Sequence, residues 1–207
     1  MPRDRLVTVS YPVDEEYARI NTDVLGDEAS VSFLHRVPEP ERPSILARAE
    51  ALVAWNLRRE LPDDALDRAP ELRFIQLLSA GADSVDFRTI PETVPLAGNV
   101  GAYAKPMAEH VMAMALALIK RLPQRHAEMA RGEFNQSEPL LTLDGAVCAI
   151  LGFGGIGSAA ARLMRPFGAR IYVLNTSGKT SEDVDFIGTL TDLDEVLAAA
   201  DVLLIAL

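Results

Sequence analysis

The run Val147–Cys148–Ala149–Ile150–Leu151–Gly152–Phe153–Gly154–Gly155–Ile156–Gly157 constrains this 207-residue chain more than any other stretch. Its residues are apolar without a break up to Leu151, as in a strand buried on both faces. Gly152, Gly154 and Gly157 follow at the spacing G-x-G-x-x-G, and residues 158–164 are rich in helix formers. The first glycine permits a tight bend. The second has no Cβ, so a pyrophosphate can reach the backbone. The third lets the helix pack close to the strand. The phosphates would then sit on free amides at the positive end of the helix dipole. Three spaced glycines alone describe a structural turn equally well; a strand before them and a helix after them favour nucleotide binding. Gly152, Phe153, Gly154, Gly155, Ile156 and Gly157 are therefore the candidate cofactor cradle.

Composition narrows the class. Hydrophobic residues make up 49% and charged residues 24%, which is ordinary for a globular chain. The 30 acidic residues outnumber the 20 basic ones, for a formal net charge of −10, which argues against a general nucleic-acid binder. Cys148 is the single cysteine and lies within the predicted buried strand. It cannot form an internal disulfide, fits a reduced, cytoplasmic setting, and reads as a small core residue. The opening residues 1–5 lead into a strand pattern rather than an apolar leader. The apolar run 111–119 is too short for a membrane span and ends in Lys120–Arg121. No nucleic-acid, membrane or metal site is expected.

Taken in order, the pattern predicts strands over 6–10, 30–34, 52–55, 72–78 and 94–97. Helices are predicted over 44–51, with Pro43 as first residue, and from 61–66 onward. Alternating strands and helices imply a parallel sheet with right-handed crossovers. A second unit starts near residue 100. Pro106 opens a helix reaching Arg121, in which Met107, Val111, Met114, Ala115 and Leu118 follow helical spacing, as a core stripe or a dimer seam. A short helix over 124–131 and a loop over 132–142 come next. Beyond the glycine loop and its helix, a strand over 169–174, a helix over 193–200 and a strand over 202–207 complete one βαβαβ mononucleotide-binding half. On that count a second half would lie beside the first strand, which leaves 146–151 as an open apolar edge.

Several segments, in order, resemble the D-isomer-specific 2-hydroxyacid dehydrogenases. They are Leu72–Arg73–Phe74–Ile75–Gln76 running into Ser79–Ala80–Gly81–Ala82–Asp83–Ser84–Val85–Asp86; Gly98–Asn99–Val100–Gly101–Ala102–Tyr103 with Met107–Ala108–Glu109–His110; the glycine loop; and Leu193–Asp194–Glu195–Val196–Leu197 with Ala200–Asp201–Val202. The resemblance is colinear from about Leu72 and looser before it. It implies an α/β chain: a flavodoxin-like parallel-sheet outer substrate domain over 1–100, then an incomplete Rossmann dinucleotide-binding domain over 101–207. Helix 106–121 would serve as hinge and homodimer helix, and the active site would lie in the cleft between the domains. It also implies hydride transfer between a nicotinamide cofactor and a small 2-keto or 2-hydroxy acid. The amides of Ala80 and Gly81 would receive the substrate carboxylate, with Asn99 at the hinge; a plain turn accounts for these residues equally well without the resemblance. The family's catalytic arginine, acidic residue and histidine have no counterpart here. His110 reads as a structural, hydrogen-bonded histidine, and His35 and His126 fall in no matching motif.

Dinucleotide sites that prefer NAD usually carry Asp or Glu at the end of the second strand. Here that position holds Asn175, followed by Thr176, Ser177 and Lys179. Losing the carboxylate removes repulsion against a 2′-phosphate, and the hydroxyls and the lysine can attract one. NADP is thus favoured over NAD; a merely polar turn is the alternative. Two functions follow. One is a 2-keto acid reductase present here as a fragment that is inactive by itself. The other is a non-catalytic nucleotide-binding or scaffold protein.

Overall fold

A computed structural model describes residues 5–207. The opening residues 1–4, part of the stretch read above as leading into a strand, lie outside the described residues. The chain divides into two compact units, Met1–Val100 and Gly101–Leu207.

The first unit holds strands β1 (Leu6–Val9), β2 (Ser30–Phe33), β3 (Ala51–Ala54), β4 (Phe74–Leu77) and β5 (Leu96–Ala97). All pairs are parallel, in the order β2-β1-β3-β4-β5. Helices α1 (Glu15–Leu25), α2 (Arg42–Arg48) and α3 (Leu57–Glu60) belong to the crossovers. The Asp14 carboxylate caps α1 by accepting from the Tyr17 amide at 2.7 Å, and Glu15 and Glu16 add negative charge to its first turn. Leu52, Ile75 and Leu77 are fully buried and centre a core that Leu34, Leu46, Leu61, Leu66 and Leu72 complete.

Two helices differ from the sequence reading. The one expected over 44–51 runs Arg42–Arg48, with Pro43 second, because Ala49 turns extended and Ala51 opens β3. No helix begins at 61–66. Leu61 is extended before Pro62, as a residue preceding proline prefers. The chain then advances by short turns, Ala65 N–H to Pro62 O and Ala69 N–H to Leu66 O. The helical turn falls earlier, at α3.

The second unit runs α4 (Ala104–Ile119), α5 (Leu122–Ala130), β6 (Val147–Leu151), α6 (Gly155–Met164), β7 (Arg170–Leu174), β8 (Phe186–Gly188), α7 (Leu193–Ala199) and β9 (Val202–Ile205). Its sheet is parallel, in the order β8-β7-β6-β9. This overturns the expected open edge at 146–151. β9 pairs with β6 on the side away from β7, so β6 is an inner strand whose Cys148, Ala149 and Ile150 are fully buried. The edge is β9, where Leu203 and Ile205 are exposed. The miscount came from β8, whose three residues Phe186–Ile187–Gly188 follow a loop instead of a helix and carry no periodic signal.

Helix α4 packs along α6, but its core face is Ala108, Met112, Ala115 and Ile119. Of the stripe read from sequence, Ala115 is buried and Val111 half-buried, while Met107, Met114 and Leu118 are exposed, Leu118 at 69%. Helix α4 is apolar on two faces, so periodicity alone could not fix which one turns inward.

Two aspartates pin the register. The Asp201 amide donates to Val147 O while its carboxylate accepts from the Val147 amide, both at 2.9 Å. Asp185 does the same with Ile171, at 2.9 and 2.7 Å. Each binds a residue at the amino end of a buried strand, Val147 first in β6 and Ile171 second in β7. Asp201→Ala should orphan the buried Val147 amide and lower the unfolding free energy by about 1–3 kcal/mol in urea denaturation. Burial, then the nearby Asp201 charge, pushes the Cys148 thiol up to about 11. Native protein at pH 8 should therefore react with a disulfide reagent only on denaturation. The raised value means the native state holds its proton longer than the unfolded chain. That stabilisation is complete below pH 9 and lost as pH rises towards 11.

Candidate cofactor-binding site

The turn after β6 is built from three glycines that meet three different surroundings. Gly152 has φ +91°, and a Cβ there would lie 2.3 Å from the Ala206 carbonyl oxygen just beyond β9. A Cβ on Gly157 would lie 2.3 Å from Gly152 O and 3.2 Å from Ile150 Cγ2, so α6 crosses β6 at a distance only hydrogen permits. Gly154 is exposed and extended (φ −86°), and a Cβ there would meet nothing within 4 Å. Two glycines thus serve close packing, and the middle one leaves open space.

That space lies at the start of α6. Gly154 is the N-cap and offers no side chain. Ser158 N–H returns to Gly154 O, while the amides of Gly155, Ile156 and Gly157 have no acceptor among the described residues. No acidic residue sits in the first turn, in contrast to α1, whose amides Asp14 already serves. Phe153 packs against the core below, and a Cβ on Gly155 would lie 3.4 Å from Ala104 Cβ. Bare amides, a positive dipole end and a gap that a side chain would fill together fit a diphosphate.

Asn175 follows β7 and is turned into its own loop. Its Oδ1 accepts from the Gly178 amide at 2.7 Å and the Ser177 amide at 3.1 Å, and its Nδ2 donates to Lys179 O at 2.9 Å. Thr176, Ser177 and Lys179 are exposed around it. The carboxamide organises the loop, and the loop presents the hydroxyls and the ammonium.

In the first unit, the carboxyl ends of β4 and β5 bring Ala80, Gly81 and Asn99 together. The Asn99 amide donates to Ser79 O at 2.8 Å, and the Ser79 hydroxyl donates to Gly81 O at 2.8 Å. A Cβ on Gly98 would lie 2.8 Å from Ala80 O. Ala80 and Gly81 are exposed, and their amides have no acceptor among the described residues. The Asp83 carboxylate leans towards Gly81, 2.7 Å from where a Cβ would stand.

His110 is exposed and makes no hydrogen bond among the described residues, which corrects the reading of it as a bonded structural histidine. It lies on the side of α4 opposite the buried Ala108, Met112, Ala115 and Ile119. His126 is likewise exposed, and His35 accepts from Arg36. No histidine is bonded to a carboxylate among the described residues, and no cluster of His, Cys, Asp or Glu there could hold a metal ion. The residues that sequence reasoning missed are Asp185 and Glu60. The Glu60 carboxylate accepts from the Asn56 amide at 2.6 Å and the Trp55 amide at 3.1 Å, closing the turn after β3. Neither carries a pattern signal, since each acts on a neighbouring segment.

Comparison with known proteins places this geometry. Residues 112–207 match the family described as D-isomer specific 2-hydroxyacid dehydrogenase, NAD binding domain. Among curated proteins, the glyoxylate reductase of Thermococcus litoralis is 26% identical over 147 residues, 67% of this chain and 44% of that one. Among solved structures, a glycerate dehydrogenase related protein from Thermoplasma acidophilum is 31% identical, with TM-score 0.72, covering 98% of this chain and 64% of that one. A D-isomer specific 2-hydroxyacid dehydrogenase family protein from Aeromonas salmonicida has the same fold, with TM-score 0.81 at 24% identity, covering 99% of this chain and 64% of that one. The second unit, over residues 112–207, bears the NAD-binding domain of the D-isomer-specific 2-hydroxyacid dehydrogenases, and the chain as a whole shares the fold of these structures. It spans about half the length of the curated relatives it matches.

The three glycines should separate by substitution. Gly154→Val should leave unfolding free energy within about 1 kcal/mol of the parent yet abolish dinucleotide binding in calorimetry. Gly152→Ala should destabilise the fold by on the order of 2–4 kcal/mol, through positive φ and the Ala206 carbonyl.

Proposed function

We propose that the chain supplies the substrate- and cofactor-binding parts of an NAD(P)-dependent oxidoreductase of the D-2-hydroxyacid dehydrogenase type, acting on a small 2-keto or 2-hydroxy acid. The observation that carries this reading is the uncapped start of α6 over the open space at Gly154. A bound nicotinamide would supply the hydride acceptor or donor. This chain's part is to hold it: the amides of Gly155, Ile156 and Gly157 receive the diphosphate, and Gly152 and Gly157 keep strand and helix close enough to present them. The free amides of Ala80 and Gly81, with Asn99 beside them, receive the substrate carboxylate. The Asp83 side chain is exposed and swings aside, since it would repel that anion.

The loop after β7 supports NADP over NAD. With Asn175 neutral and spent on the loop, no carboxylate opposes a 2′-phosphate, and Ser177, Thr176 and Lys179 stand exposed to meet it. The exposed Met107, Met114 and Leu118 face of α4 suits a homodimer seam. An unpaired buried thiol fits a cytoplasmic setting. A second reading, a nucleotide-binding protein without catalysis, draws on the absence of a histidine–carboxylate pair among the described residues.

Calorimetry with NADP, NAD and ADP should give saturable binding, tightest for NADP; no heat from any of them in folded protein overturns both readings. Asn175→Asp should lower the NADP-to-NAD affinity ratio by on the order of tenfold, because a carboxylate would face the 2′-phosphate. The 207 residues alone should not turn over glyoxylate or hydroxypyruvate with either cofactor; measurable oxidation of NADPH overturns that expectation.

A further inference from the structure

The glycine turn carries no charge of its own. Residues 152–157 are glycine, phenylalanine and isoleucine, and Ser158 follows them in the first turn of α6. Amides and a helix dipole alone would face the two charges of a diphosphate, in a chain of net charge −10. A side-chain cation beside the turn would strengthen that grip.

Most cations of the second unit are already committed. Every arginine there has a side-chain partner among the described residues, and Lys120 donates to Leu141 O at 2.7 Å. Two ammonium groups have no bonded partner among the described residues: Lys179, on the loop after β7, and Lys105, the second residue of α4. Lys105 is exposed. Glu109, one turn further along, is the acidic residue of α4, and no ion pair joins the two.

The packing of α4 brings Lys105 to the turn. Ala104 is the first residue of α4 and Gly155 the first of α6. A Cβ on Gly155 would lie 3.4 Å from Ala104 Cβ and 3.9 Å from Gly101 Cα, so the two helices begin side by side. Lys105 precedes Ala108 by three residues and Met112 by seven, which puts it on the face that α4 buries along α6. Side chains lean towards the amino end of their helix, and here that end adjoins the glycine turn. The exposed Met107, Met114 and Leu118 lie on the other side of α4.

We propose that Lys105 is the charged side chain that binds the dinucleotide's diphosphate, reaching from α4 across the open space at Gly154. The proposal rests on the reading of residues 152–157 as the cofactor turn. The flexible four-carbon stem carries the ammonium to one phosphate, and the amides of Gly155, Ile156 and Gly157 receive the diphosphate from the other side. Lys105 thus acts on the part that NAD, NADP and ADP share, and the loop with Lys179 acts on the 2′-phosphate.

The test is calorimetry of the 207-residue protein with NAD, NADP and ADP. Lys105→Gln should weaken all three roughly fivefold to tenfold and leave the NADP-to-NAD ratio unchanged, while Lys105→Arg should stay within about twofold of the parent. In the parent itself, saturating ADP should protect Lys105, and not Lys120, from acetylation by acetic anhydride, read by peptide mass spectrometry. Unchanged affinities in Lys105→Gln, a loss confined to NADP, or equal acetylation of Lys105 with and without ADP each overturns the proposal and leaves the cofactor turn standing. Failure of the parent to bind any of the three overturns the cofactor turn and Lys105 with it. Where Lys105→Gln fails to fold, protection in the parent decides.

Discussion

The second unit depends on one close approach, that of α6 to the carbonyl of Gly152. A hydrogen atom at position 157 lets the helix start directly above the end of β6. Everything useful about the site follows from that spacing. The first amides of α6 point at open space because the helix begins there and not a turn later. The N-cap has no side chain to satisfy them, so their acceptor must come from outside the chain. Elsewhere the same chain caps a helix with its own carboxylate, Asp14 accepting from the Tyr17 amide, and Glu15 and Glu16 put negative charge where an anion would sit. The contrast between α1 and α6 is the physical difference between a helix start closed by its own carboxylate and one left open.

The parallel strands around that turn are held in register from their amino ends. Parallel ladders need long crossovers, and nothing local fixes where the returning strand begins. Asp185 and Asp201 answer this by bonding Ile171 and Val147, at the amino ends of β7 and β6, with both amide and carboxylate. Because Asp201 sets β9 against β6, the carbonyl of Ala206 arrives beside Gly152, where only a residue without a Cβ fits. Register at one end of the sheet therefore sets the shape of the turn at the other.

In the first unit, the free amides of Ala80 and Gly81 lie at the carboxyl ends of its parallel strands, and so does a cavity lined by Arg42 and Arg59. The two lie after different strands of one small sheet.

Strand, glycine turn and helix at 147–164 were legible in the amino-acid order, because unbroken apolar residues, glycine spacing and helix formers act on neighbours along the chain. The Asn175 loop was legible as polar chemistry, though not as a loop that consumes its own asparagine. The three residues of β8, the inward face of α4 and the helix misplaced at 61–66 were not. Each depends on what packs opposite: β8 is a strand because β7 lies beside it, and Met112 is core because α6 covers it. Local pattern thus determined the strand, glycine turn and uncapped helix at 147–164. Tertiary packing alone decided the strand order that puts β6 inside and β9 at the edge, since that choice rests on contacts between residues some fifty positions apart, which no local pattern encodes.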